Sequence, residues 1–234
     1  MIIIPARLQS TRFPQKMLTD ILGLPMIVRT ALRAKEIDEV CVATDAQEIL
    51  EISQEYNILA VMTSSSHNSG TDRCAEAARI LGLDDDEIVV NMQGDEPFLE
   101  SEILLSLKSM MKENSPFMGT CIKHIGADEA QDPNLVKVVL NTKGEALYFS
   151  RSLIPFNRDG VEVEYFGHLG IYAFSNKTLQ EFCSLPKSPL EEIEKLEQLR
   201  ALWNQKTVQT LLVKTQSIGI DTLEDKEKAI KFFS

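Results

Sequence analysis

The chain has 234 residues, of which 44% are apolar and 25% are charged, and its formal net charge is −11. This length can bury a sizeable core in one large domain, and the composition is that of an ordinary globular protein. Because an acidic surface repels nucleic-acid backbones and anionic membranes, we expect no nucleic-acid partner and no membrane insertion. The apolar start, residues 1–4, is too short for a signal or membrane segment.

The four cysteines are scattered along the chain and form no CxxC pair. The pattern therefore indicates neither a disulfide framework nor a zinc site. We expect buried free thiols and a cytoplasmic protein.

Strand and helix patterns alternate through the first half of the chain. The predicted strands are residues 2–4, 39–44, 58–62 and 87–91, and the predicted helices are residues 25–37, 47–56, 71–81 and 102–112. Ile27, Ala31 and Ala34 share one face of the first helix. Such alternation predicts parallel strand pairing and an α/β sandwich.

Strands dominate the second half of the chain, which predicts antiparallel pairing and a mixed sheet. The predicted strands are residues 117–123, 136–140, 146–149, 169–174 and 208–213, and a charged amphipathic helix is predicted over residues 190–203. A final helix begins at Thr222, where Thr222 and Asp225 resemble a capping box.

A basic loop follows the first strand and contains Arg7, Arg12 and Lys16 with no acidic residue among them. Open α/β sheets bind ligands at the carboxyl ends of their strands, and arginine and lysine suit phosphate oxygens. The loop therefore predicts a polyphosphate site, with a plain exposed basic loop as the alternative. It matches neither the Walker loop nor GxGxxG, and no GxSxG elbow supports covalent catalysis.

An acidic turn, Gly94-Asp95-Glu96-Pro97, follows the strand at residues 87–91. A carboxylate that faces a polyphosphate needs a hard cation between them, and Mg²⁺ is the natural choice. Asp95 is therefore a candidate metal ligand, although an ordinary acidic turn would look the same. Asp221 is either a second metal ligand or the N-cap of the final helix.

Taken together, motifs in one fixed order along the chain resemble the 3-deoxy-manno-octulosonate cytidylyltransferase family. These are PARxxSxRxPxK from Pro5, HxSGTDR from His67, NxQGDEP from Asn91, SRxxIP from Ser150, HxGIY from His168, EKxEQLR from Glu194 and GxDT from Gly219. The resemblance implies a Rossmann-like three-layer α/β sandwich of the nucleotide-diphospho-sugar transferase type, with a mixed, mostly parallel sheet and a smaller antiparallel dimerisation part. It implies one domain over residues 1–234, with a nucleotide-binding part at about 1–115 and a sugar-binding and dimerisation part at about 116–234.

The resemblance also implies an activity and its residues. The enzyme would be a Mg²⁺-dependent homodimer that couples CTP and 3-deoxy-manno-octulosonate (KDO) into CMP-KDO and pyrophosphate, for lipopolysaccharide assembly. The implied catalytic residues are Arg7, Lys16 and Asp95, and the metal ligands Asp95 and Asp221. The implied CTP contacts are Ala6, Arg7, Ser10, Arg12, Lys16, Ser66, Thr71, Arg73 and Gln93. The implied KDO contacts are Gln93, Arg151, His168, Tyr172, Glu197 and Gln198.

Three positions depart from the family's usual pattern. Gln15 and Met17 replace Gly and Pro in the first loop, and Leu223 replaces Pro after Thr222. None of the three removes an implied ligand. Gln15 leaves the loop conformation open, because glycine tolerates backbone angles that glutamine does not.

Three other functions compete with this interpretation. A sibling enzyme would use CTP with sialic acid or an amino analogue of KDO. A non-catalytic nucleotide-binding protein would have lost the cations or an aspartate, and all are present here. An interaction module would need an apolar surface, for which Phe149, Phe156 and Tyr165 are candidates unless they belong to the core.

Overall fold

The computed structural model describes residues 1–8 and 13–233, and the chain divides into two compact units. The first unit contains residues 1–105 and 215–234, and the second contains residues 106–214. No helix in the described ranges combines the length and apolar character needed to cross a bilayer.

The first unit is built on parallel strands that alternate with helices, as the sequence predicts. Its elements are β1 (Ile2–Ala6), β2 (Asp20–Ile21), β3 (Leu24–Pro25), α1 (Met26–Lys35), β4 (Val40–Thr44), α2 (Gln47–Glu55), β5 (Leu59–Met62), α3 (Gly70–Ile80), β6 (Ile88–Asn91), the start of α4 (Ser101–Asn114), and α8 (Leu223–Phe233). The parallel strands lie in the order β6-β1-β4-β5, while β2 and β3 form a small antiparallel pair.

Apolar side chains explain why these elements pack. Every residue of β1 and β4 is buried, and Ile27, Ala31 and Ala34 on α1 have no exposed surface. The predicted apolar face of the first helix is therefore confirmed. Because parallel strands end at one edge of a sheet, the segments after β1, β4 and β6 emerge on the same side of the first unit.

The C-terminal segment belongs to the first unit, not to the second part in which the sequence analysis placed it. Ile220 and Ala229 are buried in one apolar cluster with Phe13, Ile21 and Met26. This packing, which joins residues far apart in sequence, cannot be read from local patterns.

The second unit contains mainly antiparallel strands. Its elements are the remainder of α4, β7 (Met118–Ile125), β8 (Lys137–Leu140), β9 (Ala146–Ser150), β10 (Tyr165–Ser175), α5 (Asn176–Ser184), α6 (Pro189–Glu194), α7 (Leu199–Trp203) and β11 (Val208–Leu212). Strand β10 pairs antiparallel with β7 and β8, β8 pairs antiparallel with β9, and β11 runs parallel to β7. Helix α5 was not predicted.

The single helix predicted over residues 190–203 is wrong, because the structure has two short helices there. Helix α6 ends at Glu194, and Lys195 follows in the left-handed region with φ of 55°. Two charged residues of this segment are buried, because Glu191 and Arg200 form an ion pair inside the unit. Phe149 and Tyr165 are core residues, whereas Phe156 is 81% exposed.

The final helix begins with the predicted capping box. The Thr222 hydroxyl accepts from the Asp225 amide at 3.1 Å, and the Asp225 carboxylate accepts from the Thr222 amide at 2.9 Å. Thr222 therefore caps helix α8, and the alternative that Asp221 is the cap is wrong. The Asp221 side chain instead contacts the Lys16 ammonium at 2.9 Å.

Candidate active site

Lys16, Asp95 and Asp221 form a charged cluster in the first unit. The Lys16 ammonium lies 2.6 Å from an Asp95 carboxylate oxygen and 2.9 Å from an Asp221 carboxylate oxygen. Lys16 is buried, while the Asp95 and Asp221 side chains are 24% and 47% exposed. The sequence analysis singled out all three residues separately, and the fold brings them together.

Main-chain contacts explain how the two aspartates meet. The Ile220 amide donates to the Asp95 carbonyl at 2.9 Å, which places Asp221 beside the turn that follows β6. Gly94 allows the Lys16 segment to approach that turn, because a Cβ at Gly94 would lie 2.8 Å from the sulfur of Met17.

Electrostatics hold Lys16 in its charged form. Burial by itself would lower the pKa of Lys16, but the charges and hydrogen bonds of Asp95 and Asp221 outweigh it and raise that pKa. Lys16 follows Gln15, whose φ of 53° lies in the left-handed region. Gln15 therefore adopts a backbone conformation that glycine tolerates better than glutamine.

The donor set of this cluster fits a hard divalent cation that is completed by other ligands. Asp95 and Asp221 supply carboxylate oxygens, and a single ammonium already lies between them. Within residues 1–8 and 13–233, no group of three or more His, Cys, Asp or Glu side chains could hold a metal by itself. Mg²⁺ is commonly bound by one or two carboxylates together with water and substrate phosphates.

Arg7 and the loop before α3 are tied together in the first unit. The Arg7 guanidinium donates to the main-chain carbonyl of His67, and the His67 ring contacts the Glu76 carboxylate. Hydrogen bonds from the Ser64 amide and from His67 lower the pKa of Glu76. Ser66 is exposed in the same loop, with its hydroxyl 2.7 Å from that of Ser64. The predicted phosphate contacts Ser10 and Arg12 lie outside the described residues.

Two predicted CTP contacts, Arg73 and Thr71, are buried in the first unit, and their contact with CTP remains a prediction. Arg73 has no exposed surface, and its guanidinium donates to Asp45 at 2.8 Å and to Thr63 at 2.6 Å. Thr71 is equally buried, and its hydroxyl accepts from the Asn91 side chain at 3.0 Å. Both residues lie in the first turns of α3.

The remaining predictions in the first unit lie at strand ends. Ala6 is buried at the end of β1, so it offers a ligand only main-chain groups. Gln93 is half-buried after β6, and its side-chain amide donates to Asn91 at 3.4 Å. Their contacts with a substrate remain predictions.

In the second unit, a chain of hydrogen bonds joins Tyr172, Gln198, His168 and Thr120. The Tyr172 hydroxyl donates to Gln198 at 3.0 Å, the Gln198 amide lies 3.4 Å from His168 Nδ1, and His168 Nε2 lies 2.9 Å from the Thr120 hydroxyl. Thr120 in turn donates to the Ile171 carbonyl at 2.7 Å. We call these four side chains the polar relay.

The direction of these bonds assigns the histidine tautomer. Because the Thr120 proton goes to a carbonyl, its oxygen accepts from His168 Nε2, and Nδ1 accepts from Gln198. Burial lowers the pKa of His168 to about 3, which agrees with a neutral ring. Burial, followed by the Glu197 charge, raises the pKa of Tyr172 well above its usual value. The polar relay is thus uncharged near neutral pH.

A β-bulge shapes the polar relay. The register of β10 against β7 shifts between Leu169 and Tyr172, so that Tyr172 pairs with Thr120. The Thr120 hydroxyl contacts the carbonyls of Leu169 and Ile171 within this irregular stretch. Bulges often re-aim side chains beside functional sites, and this one places His168 and Tyr172 around Thr120.

Arg151 is held apart from the polar relay by its own partners. Its guanidinium donates to the main-chain carbonyls of Glu194 and Pro133, at 2.8 Å and 3.1 Å. The structure therefore brings His168, Tyr172 and Gln198 together, with Glu197 near Tyr172, and shows Arg151 bound to carbonyls. Contact of these residues with a sugar remains a prediction.

Sequence reasoning missed Thr120, Lys137 and Glu194. Lys137 has no exposed surface, although it lies in an apolar strand whose neighbours are valines. A lysine within such a strand was the one available signal. Thr120 and Glu194 carried none, because their roles depend on partners distant in sequence.

Comparison with known proteins identifies similar chains. A family model described as "Cytidylyltransferase" matches residues 1–208. A 3-deoxy-manno-octulosonate cytidylyltransferase from Helicobacter pylori is 57% identical, and the match covers 100% of this chain and 98% of that protein. The protein of the same name from Wolinella succinogenes is 56% identical, with coverage of 100% and 99%.

Solved structures agree with these sequence matches. The structure of CMP:2-keto-3-deoxy-manno-octonic acid synthetase complexed with CTP superposes with a TM-score of 0.93 at 39% identity, and covers 99% of this chain and 97% of that chain. A cytidylyltransferase from Leptospira borgpetersenii has a TM-score of 0.60 at 19% identity, covering 97% and 82%, and shows the fold alone. The α/β class with a mixed, mostly parallel sheet is confirmed.

Proposed function

Because the chain belongs to the cytidylyltransferase family, we propose that it transfers CMP from CTP to KDO and releases pyrophosphate. The chain is a nucleotidyltransferase, and its full-length relatives carry the name of this KDO enzyme. The observation that carries the proposal is the cluster of Lys16, Asp95 and Asp221, with distances of 2.6 and 2.9 Å. An ammonium and two carboxylates beside the ends of parallel strands are the groups that polyphosphate chemistry requires.

The proposed reaction is an in-line displacement. The anomeric hydroxyl of KDO attacks the α-phosphorus of CTP, the bond to the β-phosphate oxygen breaks, and pyrophosphate leaves. Such a reaction depends on positioning and charge neutralisation and needs no covalent nucleophile. Lys16 and Arg7 would bind the phosphate oxygens, and Arg12 extends the same basic loop.

We propose that Asp95 and Asp221 hold Mg²⁺ together with the substrate phosphates. The ion would neutralise phosphate charge and acidify a bound hydroxyl. The Lys16 ammonium occupies the space between these carboxylates, so it would move toward the phosphates when both substrates and the metal are bound. Before the substrates and the metal bind, the positive charge of Lys16 would hold the negatively charged Asp95 and Asp221 side chains close together.

Pyrophosphate release from CTP and KDO, with and without Mg²⁺, tests the proposal. Release that requires CTP, KDO and the metal together would support it, and UTP and sialic acid serve as controls. Release with sialic acid or an amino analogue instead of KDO would support the transfer of CMP but show that the sugar assigned to the residues of the second unit is wrong. CTP binding without release, for any acidic sugar, would contradict the enzymatic proposal.

We also propose a cytoplasmic homodimer that serves lipopolysaccharide assembly. Free cysteines at all four positions, three of them buried, support a reducing compartment. Exposed apolar side chains in the second unit support an interface, namely Leu147, Phe156, Val161 and Ile193. Light scattering after gel filtration tests the dimer, and a monomer at micromolar concentration would contradict it.

A further inference from the structure

Arg151 lies at the carbonyl end of helix α6. Its Nε donates to the main-chain carbonyl of Glu194, the last residue of the helix, and its Nη1 donates to the Pro133 carbonyl. The final carbonyls of a helix have no partner within the helix and carry partial negative charge, which suits a guanidinium. Two directed bonds to different segments prevent the planar guanidinium group from rotating.

The Glu194 carboxylate holds the main chain of the same arginine. One oxygen accepts from the Ser150 hydroxyl at 2.6 Å, and the other accepts from the Arg151 amide at 2.9 Å. Glu194 therefore contacts Arg151 twice, at the guanidinium through its carbonyl and at the backbone through its side chain. Hydrogen bonds to a charged acceptor are stronger than neutral ones.

Lys137 fixes the other side of this arrangement. Its ammonium donates to the main-chain carbonyls of Asp132, Leu135 and Arg151 at 2.7, 2.7 and 2.6 Å. Lys137 pairs with Ser150 across β8 and β9, and it has no exposed surface. Because removing a charge from water is costly, a buried lysine bound to three carbonyls imposes a specific geometry on the backbone that it joins.

We propose that Glu194 and Lys137 are positioning residues that fix Arg151 for recognition of the carboxylate of the acidic sugar. This inference rests on the proposed function. The Asp132 and Glu194 carboxylates lie near Lys137 and balance part of the positive charge, so the Arg151 guanidinium itself is the group that would bind the anion. The N–H groups of Arg151 that do not face Pro133 and Glu194 keep fixed directions for a bidentate contact.

The primary test compares Glu194→Ala with Glu192→Ala. Glu192 is an exposed glutamate on the same helix, so its removal changes the charge equally without touching Arg151. We expect Glu194→Ala to raise the KM for KDO about tenfold to a hundredfold, because the carboxylate that holds the Arg151 backbone amide and the Ser150 hydroxyl is lost, and with it the placement of Arg151. The KM for CTP should stay within about twofold, because the arginine acts on the sugar.

Two milder variants guard against a folding defect. Glu194→Gln keeps one acceptor oxygen and should recover part of the affinity for KDO. Ser150→Ala removes the hydroxyl that donates to the Glu194 carboxylate and accepts from the Ser152 amide, and it should raise the KM for KDO by a few-fold. Equal increases in the KM values for KDO and CTP, or an effect matched by Glu192→Ala, would overturn the proposal.

A measurement that does not depend on turnover separates this inference from the proposed function. Phenylglyoxal modifies arginine side chains, and peptide mass mapping follows its reaction at Arg151. We expect faster modification of Arg151 in Glu194→Ala than in the wild type or in Glu192→Ala. An unchanged rate would overturn the positioning role. Absence of wild-type turnover with KDO would instead reject the proposed function, while the mapping still decides whether Glu194 holds Arg151.

Discussion

The cluster of Lys16, Asp95 and Asp221 in the first unit is charged and partly exposed, whereas the polar relay in the second unit is buried and uncharged near neutral pH. Although Lys16 is buried, the Asp95 and Asp221 side chains are open to water, which lowers the cost for these carboxylates to exchange partners. A buried relay costs much more to disturb, because each broken bond leaves an unsatisfied group. The comparison indicates that the first unit carries the changing charges of a reaction and the second unit preserves a fixed shape.

Among the variants that test this contrast between the two units, Asp95→Asn has the largest expected effect on turnover. We expect turnover to fall by at least about a hundredfold. Asparagine would bind the proposed Mg²⁺ ion more weakly than aspartate, and this ion would balance charge in the transition state. Folding should be retained, since Lys16 keeps its contact with Asp221. The pyrophosphate-release rate and thermal unfolding measure the two expectations.

The matched control for this variant is Asp85→Asn, which alters an exposed aspartate. It should behave as the wild type in both measurements. Wild-type turnover in Asp95→Asn would exclude the role assigned to Asp95. Loss of folding would show that the charged cluster is structural, which removes the contrast with the polar relay.

Replacing Lys16 with alanine separates the two roles of the ammonium. We expect a loss of about 2–4 kcal/mol of transition-state stabilisation, because a preorganised cation is removed. Without nucleotide, the same variant should bind Mn²⁺ more tightly than the wild type, since its two carboxylates no longer share an ammonium. Electron paramagnetic resonance titration measures the second effect.

Lys187→Ala, at an exposed lysine, serves as the control for charge alone. Unchanged turnover in Lys16→Ala would remove Lys16 from the site. Weaker binding of Mn²⁺ would contradict the view that Lys16 and a metal ion compete for Asp95 and Asp221.

The polar relay predicts a pH dependence of stability. The pKa of His168 is about 3 in the folded protein and near 6.5 when unfolded, so the unfolded state binds more protons between these values. Stability from the neutral ring is therefore complete above about pH 6.5 and is lost as the pH falls, by up to about 1.4 kcal/mol per pH unit. Urea unfolding at several pH values measures this slope.

His168→Gln should lack this part of the slope, so that its stability deficit relative to the wild type shrinks as the pH falls. His124→Gln changes a half-exposed histidine and should keep the wild-type slope. A His168→Gln variant whose deficit does not depend on pH would contradict a buried neutral ring, and with it the uncharged character of the polar relay.

The charged cluster and the polar relay show how much of the site could be predicted from the sequence. Lys16, Asp95 and Asp221 were found because charged residues followed predicted strands, and parallel strands bring their ends to one edge. The capping box at Thr222 was found because its signature is local. His168, Tyr172 and Gln198 came from the family resemblance alone.

The features that could not be predicted depend on contacts between residues that are distant in the sequence. Thr120 enters the polar relay only through the bulge in β10, and Glu194 meets Arg151 only because α6 ends there. The burial of Arg73 could not be predicted either, because a pattern of residue types does not reveal burial. The predicted long helix is interrupted at Lys195, which adopts a left-handed conformation. The periodicity of apolar residues gives no signal of this conformation.

The smallest expected effect tests how Asp221 is held in the charged cluster. Thr222→Ala removes the hydroxyl that accepts from the Asp225 amide and should lower the free energy of unfolding by about 1 kcal/mol. Asp225→Ala should cost a similar amount, and the double variant should cost less than the sum because both single changes remove the bond between the Thr222 hydroxyl and the Asp225 carboxylate. Glu227→Ala, at an exposed position on the same helix, is the control.

Additive costs would show that the two residues act separately. A fall in turnover larger than the loss of stability explains would show that the cap also orients Asp221, whose amide lies 3.2 Å from the Asp225 carboxylate.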